Sequence, residues 1–456
     1  MHQNSLLSAR WVVPVEPAGA VLEHHCVALR DGVIEAVLPC ADAEARFSSY
    51  AKVPLERHAL IPGLVNAHTH AAMSLMRGLA DDLPLMRWLE KHIWPAEMKH
   101  VSPRFVKDGT LLACAEMLRG GITCFNDMYF FPGAALEAAL ESGMRVSSGM
   151  IVLDFPSAYA SDPDDYLAKG LALRDQWREQ PLASFCLAPH APYTVSDAAF
   201  RKIAKLAAEV DVPVHIHLHE TVEEIERSLA EHGVRPLERL RRLGLLGPGL
   251  IAVHAVHLSD DEIALLAKHG ASVAHCPSSN LKLASGFAPA AKMAAAGINL
   301  CIGTDGAASN NRLDMFEEMR LAALLAKAVA RDAEAMPAHA ALRAATLGGA
   351  AALGLEARIG SIVPGKSADL AAVRVTGSDA VAGAFPDGFP DAFPELMPCY
   401  DPVSQLVYTA GRHHVSDVWV AGRRLLRDGV LDNPALSGLN TRCKLWQNSL
   451  GTLPES

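Results

Sequence analysis

Long apolar runs and an excess of positive charge are absent from this sequence of 456 residues. No segment approaches the roughly 18 consecutive apolar residues of a membrane span, and the first residues lack the pattern of a secretion signal. The 41 Lys and Arg residues are outnumbered by 51 Asp and Glu residues, and the net charge of −10 gives no general attraction to phosphate backbones or anionic lipids. We therefore expect neither nucleic acid nor a membrane as a partner.

Paired cysteines are also absent, since the nine cysteines are scattered and no Cys-x-x-Cys pair occurs. This pattern predicts a reduced, cytoplasmic chain without a disulfide framework or a thiolate metal site. What the chain does have is 50% apolar residues, enough for a large core, and 20 histidines. The composition excludes a disordered or fibrous protein, and the histidines suggest metal chemistry because the neutral imidazole ring is a common metal ligand.

The pattern of apolar and polar residues changes twice along the chain. Residues 1–59 and 360–456 show apolar and polar residues in alternation, which indicates short strands and tight turns. Between them, residues 60–359 show short apolar runs separated by stretches of helical periodicity, which predicts parallel βα units. About eight such units fit, so we predict an α/β fold with a (β/α)₈ TIM-type catalytic barrel over 60–359. We expect both chain ends, 1–59 and 360–456, to form one small β-sandwich domain.

Four predicted barrel strands end in residues that can bind a metal. The first runs into His68 and His70, the fifth into His215, His217 and His219 with Glu220 just beyond, the sixth into His254, and the eighth into Asp305. In this fold the carboxyl ends of the strands meet at the active site. Any one of these histidines alone is more often a hydrogen-bonded core residue, but their shared placement predicts a catalytic site of three His and one Asp with an open position for water. Alternation places His215, His217 and His219 on one face, so periodicity does not choose among them.

The strand-end motifs resemble the amidohydrolase superfamily: Pro62-Gly63-Leu64-Val65-Asn66-Ala67-His68-Thr69-His70, His217-Leu218-His219-Glu220, Val253-His254 and Gly303-Thr304-Asp305-Gly306. Binuclear members use a lysine at the end of the fourth strand, and the segment 183–190 contains none. The resemblance therefore implies a mononuclear site, with one divalent metal ion per subunit, zinc being the expected ion. Cytidine-type zinc deaminases are excluded because they require a Pro-Cys-x-x-Cys motif.

Further motifs resemble the 5′-methylthioadenosine/S-adenosylhomocysteine deaminase family: Arg77-Gly78-Leu79-Ala80-Asp81-Asp82-Leu83, Ala188-Pro189-His190-Ala191-Pro192-Tyr193, Pro277-Ser278-Ser279-Asn280-Leu281-Lys282-Leu283 and Gly303–Asn311. The His-x-x-Glu spacing of the family selects His217, giving His68, His70, His217 and Asp305 as metal ligands. The resemblance implies that Trp88 lies over the nucleoside, that Glu97 accepts hydrogen bonds from the ribose hydroxyls, and that His190 contacts the substrate. Periodicity alone would make Trp88 a packed helix residue and Glu97 a solvated charge.

The expected reaction follows from these roles. Glu220 protonates the purine ring nitrogen and then passes a proton to the leaving amine, His254 orients the attacking water, and Asp305 accepts the proton of that water. Glu220 and Asp305 therefore also contact the substrate, a purine nucleoside. The product is the inosine derivative together with ammonia.

The choice of substrate rests on a departure from the family pattern. Members that accept S-adenosylhomocysteine are expected to bind its carboxylate through arginines after the third strand, but Ser147–Lys169 contains no Arg. This favours 5′-methylthioadenosine, with S-adenosylhomocysteine and adenosine as further candidates. The alternatives are an 8-oxoguanine or guanine deaminase, a triazine hydrolase, and, more remotely, a metal-free scaffold.

Analogy with the family and an irregular Gly- and Pro-rich segment, Gly383–Pro402, suggest a homo-oligomer.

Overall fold

The computed structural model describes residues 4–376 and 393–451. The first half of the segment Gly383–Pro402, which we interpreted as an irregular loop, lies outside the described residues. Sixteen strands are found in the described part of the chain: β1 Ser5–Val12, β2 Leu22–Arg30, β3 Val33–Pro39, β4 Ala51–Pro62, β5 Leu64–Thr69, β6 Ile122–Asp127, β7 Arg145–Val152, β8 Ala183–Pro189, β9 Val214–Leu218, β10 Leu250–His254, β11 Ser272–His275, β12 Asn299–Ile302, β13 Leu370–Arg374, β14 Val415–Val420, β15 Arg423–Arg427 and β16 Val430–Leu431.

Eighteen α-helical segments occur in the same ranges: α1 Cys40–Arg46, α2 Leu85–Trp88, α3 Trp94–His100, α4 Pro103–Arg119, α5 Pro132–Ser142, α6 Pro163–Trp177, α7 Asp197–Val210, α8 Val222–His232, α9 Pro236–Arg242, α10 Asp260–Lys268, α11 Pro277–Lys282, α12 Ala290–Ala295, α13 Ala307–Asn310, α14 Met315–Ala330, α15 Ala338–Arg343, α16 Gly349–Ala352, α17 Pro402–Ser404 and α18 Leu439–Leu450. A π-helical turn, Leu89–Ile93, joins α2 to α3. Several barrel helices begin where a side-chain oxygen accepts a hydrogen bond from a free backbone N–H, as the Ser259 hydroxyl does from Glu262 at the start of α10. None of the helices in these ranges is long and apolar enough to cross a membrane.

Strands β5 to β12 pair in parallel, in chain order, to form the predicted (β/α)₈ barrel. Its first and last strands meet at the carboxyl end, where the backbone N–H of Asp305 donates to the carbonyl oxygen of His68 at 3.0 Å. Asn66 bridges the same seam through its side chain, accepting from the backbone N–H of Thr304 at 2.9 Å. A Cβ atom at Gly303 would lie 2.8 Å from the backbone nitrogen of His68, so this close approach requires glycine. The seam places Asp305 beside His68.

The remaining strands form a second, mostly antiparallel sheet in the order β16-β15-β14-β13-β4-β1-β2-β3. The chain ends therefore combine in one small β domain, as predicted from the alternation of apolar and polar residues that both ends show. The two sheets are joined where β4 continues through Gly63 into β5, and where Arg145 at the start of β7 forms a buried two-pronged salt bridge with Asp369 at 2.9 and 3.1 Å.

The expectation that the chain has no disulfide is wrong for one pair, because Cys26 and Cys40 form a disulfide in the β domain. The antiparallel pairing of β2 with β3 sets Cys26 opposite Leu38 and so brings the two Cα atoms to 5.0 Å. Their separation of 14 residues gave no sign of this contact, which depends on the register of the hairpin. The other seven cysteines are free.

Candidate metal centre and active site

The side chains of His68, His70, His217 and Asp305 converge at the carboxyl end of the barrel, where one ligand atom from each lies within 4.8 Å of the others. Asp305 Oδ1 is 3.1 Å from Nε2 of His68 and 3.3 Å from Nε2 of His70. Nε2 of His217 is 3.3 Å from Nε2 of His68. The structure thus brings together the four residues that we predicted as metal ligands.

Hydrogen bonds on the far side of the rings fix which nitrogen faces the centre. Nδ1 of His70 donates to the carbonyl oxygen of Met128 at 2.5 Å, and Nδ1 of His217 donates to that of His190 at 2.7 Å. Carbonyl oxygens only accept, so both rings carry hydrogen on Nδ1 and direct Nε2 inward. Such outer partners are typical of histidines that bind metals. Three inward nitrogens and one carboxylate oxygen form the donor set of a catalytic zinc site and fit a divalent ion.

Burial and the Asp305 carboxylate act in opposite directions on the pKa values of the four residues. Burial lowers the pKa of His68 to about 4 and that of His217 well below its usual value, so both are neutral, as ligands must be. Burial acts to raise the pKa of Asp305, but hydrogen bonds from His68 and His70 hold it well below its ordinary value. Burial opposes protonation of His70, yet the Asp305 carboxylate raises the pKa of His70 to about 9. The centre therefore favours positive charge next to Asp305.

Two serine hydroxyls orient the carboxylate of Asp305. Its Oδ2 atom accepts hydrogen bonds from Ser279 Oγ at 2.6 Å and from Ser309 Oγ at 2.9 Å. The backbone N–H of Gly306 donates to Oδ1 at 2.7 Å. With Oδ2 held by the serines, Oδ1 is left to face the histidines. Sequence reasoning assigned no role to either serine, although Ser279 and Ser309 both lie within quoted motifs.

Glu220 and His254 lie next to this centre. The carboxylate of Glu224 accepts hydrogen bonds from the backbone N–H groups of His219 and Glu220, each at 2.9 Å, and so fixes the turn that carries Glu220. Burial raises the pKa of Glu220. Its Oε2 atom is 3.8 Å from Nε2 of His254, whose Nδ1 donates to the side-chain oxygen of Asn280 at 2.8 Å. Asn280 therefore leaves the Nε2 lone pair of His254 facing the site.

The three histidines around β9 have different surroundings, which corrects the expectation that all share one face. His215 lies inside the barrel, with Nε2 3.0 Å from Nδ1 of His68. His219 follows the last residue of the strand and has a φ of 55°, so its ring leaves the lumen and Nε2 accepts from the backbone N–H of Leu237 at 3.1 Å. The alternation of a strand no longer applies once the strand has ended.

A cavity of about 280 Å³ opens from the metal centre. It has two ends, which we name by their residues. The metal end contains His70, His217, Glu220, His254 and Asp305. The helix end contains Trp88, Glu97, Tyr129 and apolar residues of the segment 85–101 and of the loop after β7. No lysine or arginine lines the cavity in the parts of the chain that the structure describes.

The remaining predicted substrate residues also face this cavity. Trp88 and Glu97 lie on the helical segment formed by α2, the π turn and α3, which runs along the opening. His190, at the end of β8, lines the cavity beside His217, and burial lowers its pKa to about 3, so it is neutral. The hydroxyl of Tyr129 donates to Glu97 Oε1 at 2.7 Å. Sequence reasoning missed Tyr129, because a tyrosine two residues after a strand carries no distinctive pattern.

Comparison with known proteins agrees with this geometry. Residues 59–425 match the model of the Amidohydrolase family. A 5-methylthioadenosine/S-adenosylhomocysteine deaminase of Saccharophagus degradans is 46% identical over 97% of this chain and 96% of its own. The crystal structure of an adenosine deaminase from Xanthomonas campestris with bound zinc superposes with a TM-score of 0.94, at 51% identity and 99% coverage of both chains.

A more distant structure shares the fold. Atrazine chlorohydrolase from Arthrobacter aurescens superposes with a TM-score of 0.87 at 23% identity, over 97% of this chain and all of that one. The family match and the close relatives together indicate a hydrolase acting on carbon–nitrogen bonds other than peptide bonds, in cyclic amidines. The chain belongs to the amidohydrolase family and, within it, to the 5-methylthioadenosine/S-adenosylhomocysteine deaminases.

Proposed function

We propose that this protein deaminates 5′-methylthioadenosine, converting it with water into the inosine derivative and ammonia, with one zinc ion per chain. The observation that carries the proposal is the placement of Glu220 and His254 beside a three-histidine, one-aspartate centre, at the inner end of a mainly apolar cavity. The zinc in the related adenosine deaminase supports the choice of ion. The names of the curated relatives support the choice of substrate.

His68, His70, His217 and Asp305 would hold the ion. A divalent ion at such a site supplies Lewis-acid activation of water, whose pKa falls from about 15.7 towards 7. Asp305 would accept the proton that the attacking water loses. His254 accepts a hydrogen bond from the water at Nε2, because Asn280 keeps the hydrogen of the ring on Nδ1.

Glu220 performs the proton transfers to the purine. Burial raises its pKa and so favours the protonated form, whose proton it donates to the ring nitrogen beside the carbon under attack. Loss of that nitrogen's lone pair makes the carbon electrophilic, so water adds and the amino group becomes the leaving group. Glu220, now a carboxylate, takes the hydrogen of the added hydroxyl group and passes it to the amino group; the carbon–nitrogen bond breaks, ammonia departs and the hydroxyl becomes the carbonyl group of the product. Neutral His190 and the faces of Trp88 position the base, and Glu97 accepts hydrogen bonds from the ribose.

The lining of the cavity favours the smaller substrate. S-adenosylhomocysteine carries a charged amino-acid tail, and a buried carboxylate without a cationic partner is costly. The thioether of 5′-methylthioadenosine is neutral and suits the apolar helix end. We therefore rank 5′-methylthioadenosine and adenosine above S-adenosylhomocysteine.

The proposal also includes a cytoplasmic location, which cell fractionation tests, and a homo-oligomeric state, which light scattering tests.

A substrate panel tests the function. Ammonia release is measured with zinc-reconstituted protein on 5′-methylthioadenosine, adenosine, S-adenosylhomocysteine, 8-oxoguanine and cytosine. We expect turnover of the nucleosides, with the highest kcat/KM for 5′-methylthioadenosine. Activity confined to the free bases would overturn the nucleoside assignment, and absence of bound metal after reconstitution would favour a scaffold.

A further inference from the structure

Tyr129 is a buried tyrosine to which neither the sequence motifs nor the proposed chemistry gives a role. It lies two residues beyond the end of β6, is 4% exposed, and donates its hydroxyl hydrogen to Glu97 Oε1 at 2.7 Å. The preceding residue, Met128, holds the ring of His70 through its carbonyl oxygen. One short segment therefore contacts both ends of the cavity.

The direction of the hydrogen bond between Tyr129 and Glu97 is fixed by the two groups. Burial, with the charge of Glu97, raises the pKa of Tyr129 well above its usual value, so the hydroxyl keeps its proton and donates it. Burial raises the pKa of Glu97 to about 7, and the bond from Tyr129 acts against this rise by stabilising the charged form. Within the described ranges, no other side chain donates to the Glu97 carboxylate.

A charged, oriented carboxylate is what a pair of ribose hydroxyls requires. Hydroxyl groups donate to a carboxylate more strongly than to a neutral acid, and a protonated carboxyl has lost part of its acceptor capacity. Without the Tyr129 hydroxyl, the half-buried Glu97 would have no side-chain donor on Oε1. It would bind a proton more readily and rotate more freely.

We propose that Tyr129 is a specificity-determining residue: by holding one oxygen of Glu97, it makes the enzyme select substrates that carry ribose hydroxyls. This inference rests on the proposed nucleoside deaminase function and deepens it. Tyr129 acts through Glu97 and is a positioning residue, so its effect depends on whether the substrate offers a hydroxyl to Glu97. A purely structural role would affect all substrates alike.

The experiment compares adenosine with 2′,3′-dideoxyadenosine, which differ only in the sugar hydroxyls. For the Tyr129→Phe variant we expect kcat/KM for adenosine to fall about tenfold, mainly through KM, which is the usual loss for one hydrogen bond to a charged group. For the dideoxy substrate kcat/KM should stay close to the wild-type value. In the Tyr129→Phe/Glu97→Gln double variant the loss should be no larger than in Glu97→Gln alone, because the two residues act as one unit.

A matched control exists in the β domain, where the hydroxyl of Tyr50 donates to Glu35 Oε2 at 2.6 Å. The Tyr50→Phe variant removes the same kind of bond away from the cavity and should leave the preference for adenosine unchanged. Zinc content and thermal melting establish that each variant is folded. If Tyr129→Phe does not fold, Glu97→Gln alone must still reduce the preference for adenosine over the dideoxy substrate.

The outcomes separate the two proposals. If the wild-type enzyme releases ammonia from neither nucleoside nor 5′-methylthioadenosine, the proposed function is wrong and the inference falls with it. If the wild-type enzyme is active and Tyr129→Phe lowers kcat/KM equally for adenosine and 2′,3′-dideoxyadenosine, the function stands and the role of Tyr129 is overturned.

Discussion

The two ends of the cavity are built from different elements. At the metal end, each functional side chain lies at or just beyond the carboxyl end of a barrel strand, and outer partners hold it: Met128 and His190 through their carbonyl oxygens, and Ser279 and Asn280 through their side chains. At the helix end, Trp88 and Glu97 come from a single helical segment interrupted by a π turn.

Under the proposed function, this difference separates the residues that perform the reaction from those that select the substrate. The closed barrel holds the strand ends together, so the positions of the proposed metal ligands depend on the whole fold. The helical segment that carries Trp88 and Glu97 lies over the opening. In the described part of the chain, its one side-chain hydrogen bond to the barrel is the bond that Glu97 accepts from Tyr129, two residues beyond β6. Changes at the metal end should therefore abolish turnover, whereas changes at the helix end should alter affinity and preference in graded steps.

The largest effect should follow removal of a metal ligand. His217→Ala and Asp305→Asn should each lose bound zinc and measurable turnover, since each removes one of the four donors. Metal analysis and ammonia release provide the measurement. His219→Gln is the control, because this nearby ring lies outside the cavity and its loss should leave the zinc in place. Full zinc content in His217→Ala would mean that His217 is not a ligand.

Loss of the proton donor should come next. Glu220→Gln should keep its zinc but lower kcat by about 10² to 10⁴-fold, the usual contribution of a general acid or base. The exposed Glu223→Gln, three residues further along the chain, provides a matched control. A Glu220→Gln enzyme with near wild-type kcat would remove Glu220 from the mechanism.

Substitution of Asn280, the hydrogen-bond partner of His254, should have a smaller effect. Asn280→Leu removes the acceptor for Nδ1, so the ring can turn or change tautomer, and kcat should fall about 10 to 100-fold, as is typical for outer partners of a metal site. Asn280→Asp retains an acceptor oxygen and should retain most of the activity. Equal losses in the two variants would show that Asn280 fills space rather than orienting His254.

The smallest effect should be seen in the pH dependence of binding at the helix end. Burial raises the pKa of Glu97 to about 7, so the fraction of Glu97 that is charged falls about tenfold between pH 8 and pH 6. KM for adenosine should rise by up to about tenfold over this range, while KM for 2′,3′-dideoxyadenosine should not follow it. Equal changes in KM for both substrates would mean that a group other than Glu97 titrates in this pH range.

The two ends also differ in how far the sequence alone predicts them. His68, His70, His254 and Asp305 could be recognised because parallel strands bring their carboxyl ends together, a rule that needs no coordinates. Trp88 and Glu97 could not, since helical periodicity does not distinguish a side chain that faces a cavity from one that packs or is solvated. Only the resemblance to the family pointed to them.

Other features depend on backbone detail that no residue pattern encodes. The positive φ of His219 removes its ring from the face it would occupy in a longer strand. The disulfide between Cys26 and Cys40 depends on the register of β2 with β3. Tyr129 and Ser279 gain their roles from partners distant in sequence, Glu97 and Asp305. The barrel and the composite β domain, in contrast, could be predicted from the pattern of apolar and polar residues alone.

The division between the two ends is tested most directly by one comparison, the kcat/KM of zinc-loaded wild-type and Glu97→Ala enzymes on 5′-methylthioadenosine and on free adenine. We predict that the wild-type enzyme strongly prefers the nucleoside, and that Glu97→Ala loses much of this preference with unchanged zinc content. A wild-type enzyme that prefers adenine, or a Glu97→Ala enzyme with its preference intact, would contradict the account.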